Sequence, residues 1–221
     1  MQIRTLCDIL NKKGKDNTTM IDKSLPFRGI TLYKNDTKSY PRRELPEGYR
    51  FELYKPGDEV KWSEIWGSVG QFESIEEGVN SFRTEFLDGH TLKADERVFF
   101  VVAPDGEYVA TAALWNGTYL GNVEQRVHWV AVKDKCTGLG IAASMMTHVL
   151  DMYNELGHEG LIYLLTATWF YPAIGIYRKY GFEFFRGDEH PLGESVENFR
   201  ERNDEAIAMV EEKLEAYKNK K

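Results

Sequence analysis

A β-type run from Val127 to Val132 passes within a few residues into Lys135-Cys136-Thr137-Gly138-Leu139-Gly140-Ile141-Ala142-Ala143, and from there into a long amphipathic stretch. Ile141, Met145, Val149, Met152 and Leu156 recur at spacings of four, four, three and four, which marks one face of an α-helix. A strand that feeds a helix through glycines is a physical anion site. Glycine lets the backbone approach a ligand closely, and the first turn of a helix directs N–H groups and the positive end of its dipole outward. By itself the pattern equally describes a plain tight turn. Gly138-x-Gly140-x-x-Ala143 also fits a dinucleotide fingerprint, which wants an acidic residue about twenty positions on, at the end of the next strand. That strand, Leu161 to Leu165, ends in Thr166-Ala167 and the nearby Glu159 precedes it, so a doubly wound nucleotide-binding sheet does not fit.

The rest of the chain alternates short strands and helices. Ile30 to Tyr33 and Tyr49 to Tyr54 read as strands. Helical spacing runs from about Lys61 to Val69, and a second helix from Ser74 to Leu87 opens with a Ser74/Glu77 capping box and carries Val79, Phe82 and Phe86 on one face. Arg97 to Val102 and Glu107 to Trp115 form a hairpin across Pro104-Asp105-Gly106. The eighteen uncharged residues from Gly160 to Tyr177 reach the length of a membrane span, but Thr166, Thr168, Pro172 and Gly175 divide them into a strand, a turn and a helix start that continues to Tyr180. Gly181 to Phe185 is a last aromatic strand, and Asn198 to Tyr217 is an amphipathic helix that must dock on this chain or on a partner.

With 221 residues and a net charge of −7, the chain suits one domain with a real core, and nucleic acid is excluded as a partner for want of a basic surface. The charge is uneven: residues 1–40 carry +4, 41–128 carry −7, 129–186 carry 0 and 187–221 carry −4. Residues 1–24 are polar and read as a loosely docked arm. No signal-peptide core stands at the N-terminus, and with only Cys7 and Cys136 the expected setting is the cytoplasm, with reduced thiols and no membrane contact. His90, His148, His158 and His190 show no metal-ligand spacing, so no metal is expected.

Two ordered motifs resemble those of the GNAT superfamily of acetyl-CoA-dependent N-acetyltransferases. The first is Val130 followed by Lys135-x-x-Gly138-x-Gly140, with Lys in place of the usual Gln or Arg. The second is Pro172-Ala173-Ile174-Gly175-Ile176-Tyr177-Arg178-Lys179-Tyr180-Gly181-Phe182, about thirty-five residues on. The resemblance covers roughly residues 49–186. It departs at Phe170, where many members have Asn, and no usual seventh strand can be placed after Phe185.

The resemblance implies an α/β (α+β) fold: a mixed, mostly antiparallel central sheet with flanking helices and a splayed strand pair that holds coenzyme A. It implies that backbone N–H groups of Gly138, Leu139, Gly140, Ile141, Ala142 and Ala143 hold the pyrophosphate, with Thr137 and Lys135 beside it, Lys135 being equally readable as a plain surface lysine. It implies that the main chain of Val130, Ala131 and Val132 pairs with the pantetheine. The division expected is an N-terminal arm with one extra strand over 1–40, an acetyltransferase domain over 41–190 and a C-terminal helix over 191–221. The reaction implied is direct attack of a primary amine, of a small molecule or a peptide, on the acetyl thioester. An amine with a pKa near ~10.4 needs a proton acceptor and the leaving thiolate benefits from a donor. Tyr177 matches the family's donor, or else packs under its helix. Strand alternation places Glu124, Arg126, His128 and Val130 on one face, which leaves Glu124 and His128 as candidate bases. Cys136 reads as a spectator. A CoA-binding module of the same fold without turnover is the alternative, and a homodimer through the tail helix or a sheet edge is compatible with the sequence.

Overall fold

Strand periodicity gives way to helical periodicity, and back, at the boundaries of thirteen elements in the computed structural model, which describes residues 22–218. The arm expected over residues 1–24 lies outside them except for its last three positions. In chain order the elements are β1 (Gly29–Lys34), β2 (Arg50–Leu53), α1 (Glu59–Ser68), α2 (Ile75–Phe86), the single-turn α3 (Ala94–Arg97), β3 (Val98–Val102), β4 (Tyr108–Tyr119), β5 (Asn122–Val132), α4 (Ile141–Glu155), β6 (Ile162–Ala167), α5 (Tyr171–Lys179), β7 (Glu183–Phe184) and α6 (Phe199–Lys218). The strands form one sheet in the order β2-β3-β4-β5-β6-β1-β7, flanked by helices. β5 and β6 pair in parallel, whereas β2 with β3, β3 with β4, and β1 with both β6 and β7 are antiparallel. This is the mixed, mostly antiparallel α/β sheet with flanking helices that the resemblance implies.

The sequence reading is corrected at three points. Arg97 belongs to α3 rather than to a strand, and its guanidinium is buried. The strands expected at Glu107 to Trp115 and Val127 to Val132 are longer and meet in a tight hairpin at Leu120-Gly121, where both residues have positive φ, 48° and 80°. That is the twist a two-residue hairpin turn requires. The strand missing after Phe185 is supplied from the N-terminal side: β1 inserts between β6 and β7, with Ile30 opposite Thr166 and Leu32 opposite both Leu164 and Phe184.

The described residues form two compact units, one of Leu45–Ala113 and Trp129–Ile141, the other of residues 22–44, Leu114–His128 and residues 142–218. In the first, α1 and α2 pack through Trp62, Ile65, Phe82 and Phe86, all essentially buried. Ser74 caps α2 by accepting the Glu77 N–H at 3.1 Å, while Glu77 reaches back to the Glu73 N–H at 2.9 Å. Gly78 is where the two helices touch. A Cβ there would lie 2.1 Å from Ser63 Oγ, the hydroxyl that donates to the Ile75 carbonyl at 3.0 Å. Gly78→Ala is therefore expected to destabilise the protein by about 1–3 kcal/mol through overpacking, read as a lower urea midpoint at unchanged slope.

In the second unit α6 covers its apolar face on its own chain. Ala206, Ile207 and Val210 are fully buried, Asn203 donates to the Phe185 carbonyl at 2.7 Å, and Lys213 Nζ reaches Asp22 Oδ2 at 2.8 Å. The Lys213 ammonium holds the Asp22 carboxyl down to about 2. Among the described residues no helix is long and apolar enough to cross a membrane.

Candidate active site

Within the first unit, the end of β5 is bent by Trp129, whose φ of 49° is rare for a bulky side chain. Its ring is gripped by Trp66 at 4.8 Å, Trp62 at 5.0 Å and Phe72 at 6.1 Å, and its indole N–H donates to Glu85 Oε2 at 3.2 Å. The aromatics on α1 and in the turn before α2 thus fix the backbone just before Val130. Beyond the bend Ala131 is buried, Val130 and Val132 are half-buried, and the Lys133 N–H donates to the Val109 carbonyl at 2.8 Å.

The chain then makes a 3-10 turn over Asp134–Cys136. Thr137 donates both its N–H, at 3.0 Å, and its hydroxyl, at 2.8 Å, to the Asp134 carbonyl, so its side chain shapes the turn. Gly138 and Gly140 have φ of 81° and 85°, Leu139 is exposed between them, and α4 begins at Ile141. A Cβ on Gly138 would meet no heavy atom within 4 Å, so this backbone faces open space immediately before a helix start. Cys136 is buried with a free thiol. Lys135 donates to Glu107 Oε2, and Lys133 donates to Glu107 Oε1 at 3.0 Å. These two contacts, Lys135 first, hold the Glu107 carboxyl below the usual range, and Glu107 in turn raises Lys135.

Within the second unit, the parallel pairing of β5 with β6 runs from Gln125 opposite Ile162 to Val127 opposite Leu164 and extends no further. Val130 to Val132 follow the last of these pairs in the chain. The bend at Trp129 also interrupts the alternation from which His128 and Val130 were expected to share a face. Arg126, buried in β5, donates to His128 Nε2 at 2.8 Å. A guanidinium has no acceptor, so His128 is the neutral tautomer with its proton on Nδ1. Glu124 is half-buried within electrostatic reach of Tyr119, Tyr153 and Tyr163; burial first and this carboxylate additionally push those phenols up, Tyr119 to about 12.

Tyr177 lies buried on α5, its ring 6.3 Å from Phe182, and burial pushes its phenol far up. The turn that leads into this helix, Thr168–Phe170, is strapped by the segment before β1. Trp169 donates to the Leu25 carbonyl at 2.7 Å, Thr168 Oγ1 to the Pro26 carbonyl at 2.5 Å, and the Thr168 N–H to the Arg28 carbonyl at 3.0 Å. Phe170 ends the turn, half-buried.

Three contributors went unread in the sequence. The role of Arg126 in committing the lone pair of His128 has no local signal. Gly117 does have one, being a glycine inside a strand: a Cβ there would lie 2.3 Å from Tyr163 Oη and 3.2 Å from Arg126 Cδ. Glu107 is the third. Among the described residues no group of three His, Cys, Asp or Glu side chains could hold a metal.

The sequence profile of the Acetyltransferase (GNAT) family matches residues 60–182. Of solved structures, a GCN5-related N-acetyltransferase from Sphaerobacter thermophilus is similar at a TM-score of 0.54 and 22% identity, over 73% of this chain and 50% of that one. A GNAT-family acetyltransferase from Colwellia psychrerythraea is similar at 0.53 and 13%, over 72% of this chain and 54% of that one. At such identities the likeness is one of fold, and this chain spans about half the length of either. No curated protein matches the sequence.

Proposed function

Because the chain belongs to the acetyltransferase (GNAT) family, whose members are acyltransferases, we propose that it moves an acetyl group from acetyl-CoA directly to a primary amine. The observation that carries this reading is the loop before α4, in which Gly138 and Gly140 both have left-handed backbone and Gly138 faces open space. These residues fit a diphosphate: glycine backbone admits close approach, and the first N–H groups of a helix have no intrahelical partners. Gly138 to Ala143 would hold it, with Lys135 alongside. When bound, acetyl-CoA supplies an activated thioester carbonyl.

The main chain of Val130, Ala131 and Val132, beyond the last β5 to β6 pair, would receive the pantetheine as an added half-strand, and an N–H near Val130 would stabilise the oxyanion. Tyr177 stands as proton donor to the departing sulfur. For the base, the lone pair of His128 Nε2 is already taken by Arg126, which leaves Glu124 the better acceptor of the amine proton. The charge of −7 over residues 41–128 suits a cationic amine.

Release of free CoA thiol from acetyl-CoA across a panel of amines, followed spectrophotometrically, tests this. Amine-dependent, saturable release is expected. Phe170 favours a second reading, a CoA-binding module without turnover, which would show as CoA binding by calorimetry with no release for any amine.

A further inference from the structure

One carboxylate occupies both lysines of the phosphate loop. Glu107 Oε1 accepts from Lys133 Nζ at 3.0 Å and Oε2 accepts from Lys135 Nζ, one oxygen to each ammonium. Two lysines would grip two oxygens of a phosphate in the same manner. The carboxylate is carried by a firm support: Glu107 follows the Pro104-Asp105-Gly106 turn, its N–H donates to Asp105 Oδ1 at 2.9 Å, and its carbonyl accepts the Ala103 N–H at 2.8 Å. The lysines differ in freedom. The Lys133 side chain is 14% exposed and that of Lys135 58%, so Lys135 is the one able to turn toward a ligand. Asp105 adds a second carboxylate within electrostatic reach of Lys135.

We propose that Glu107 is a built-in phosphate surrogate, which engages Lys133 and Lys135 in place of the phosphates of coenzyme A and so holds cofactor affinity down and quickens release of the product thiol. The inference rests on the CoA reading of the loop. A phosphate that draws Lys135 away gains only the difference between its own attraction and that of Glu107. Every CoA that leaves is replaced by a counter-ion already in position.

Calorimetric titration of the full chain with CoA and with 3′-dephospho-CoA, at low and high salt, tests it. Glu107→Gln is expected to tighten CoA about two- to fivefold at low salt, the range of a partly exposed ion pair, with the gain shrinking as salt screens it. Glu107→Ala should move the same way, which covers the case in which the glutamine variant folds poorly. Lys135→Ala should cost more affinity in the Glu107→Gln background than in the native chain, a coupling that unrelated changes would not show. A gain retained with 3′-dephospho-CoA assigns the competition to the pyrophosphate, and a gain lost with it assigns it to the 3′-phosphate. Native protein that binds CoA while both variants bind it equally or more weakly overturns the surrogate role alone. Native protein that binds no CoA removes the loop reading as well.

Discussion

Tyr177→Phe lowers kcat about a hundredfold or more while leaving the affinity for CoA unchanged. The substitution keeps the ring against Phe182 and removes one hydroxyl from an apolar, buried position. The rate term at stake is the donor's, for which positioned acids typically contribute about 10²–10⁴-fold. Burial raises this phenol well above its ordinary value, so it stays protonated through the alkaline range in which a thiol of pKa ~8.5 ionises. Two consequences follow. Tyr177 would stand still protonated, ready to donate to a departing thiolate. The rate also shows no alkaline loss from this group at the pH where an ordinary tyrosine titrates, because the donor form is lost only when pH passes the raised value. Single-turnover kinetics with the variant decide the matter, since equal kcat values would strip Tyr177 of its role.

Gly138→Val abolishes measurable CoA binding, or weakens it by more than about tenfold, and Gly138→Ala falls between. At φ of 81° a β-branched side chain costs on the order of 1–3 kcal/mol of backbone strain. No heavy atom lies within 4 Å of where a Cβ would stand, so the strain relaxes by reshaping an exposed loop rather than by breaking the core. The melting temperature is therefore expected to move little while the phosphate N–H groups lose their arrangement. Calorimetry showing native affinity in the valine variant would remove the loop from the cofactor site.

Why the glycine turn and the helix after it could be read from sequence alone, and other features could not, has a physical basis. Gly138 and Gly140 are legible because glycine is the residue a left-handed backbone favours, and α4 because its apolar face repeats within one element. The hairpin at Leu120-Gly121 escaped because leucine at φ of 48° contradicts turn chemistry; there the pairing of the two strands overrides local preference. Alternation along β5 puts Arg126 and His128 on one face, where they meet, but the bend at Trp129 is set by rings from α1 and the turn before α2, more than fifty positions earlier for Trp62 and Trp66. The pairing of Lys135 with Glu107 spans 28 positions, and that of Trp169 with Leu25 spans 144. Contacts of that range leave no periodic trace in either partner.

The insertion of β1 between β6 and β7 places a constraint on the order in which the chain can be assembled. Ile30 and Leu32 are made before their partners Thr166 and Phe184, each of which follows more than 130 residues later, so β1 waits unpaired until those strands exist. Until then β1 is an apolar strand with two open edges, the kind of segment that recruits foreign strands. β1 completes its pairing when β6 and β7 come to lie on its two sides. The turn that leads into the Tyr177 helix is strapped by the residues just before β1, so the entry to that helix and the pairing of β1 depend on the same segment of chain.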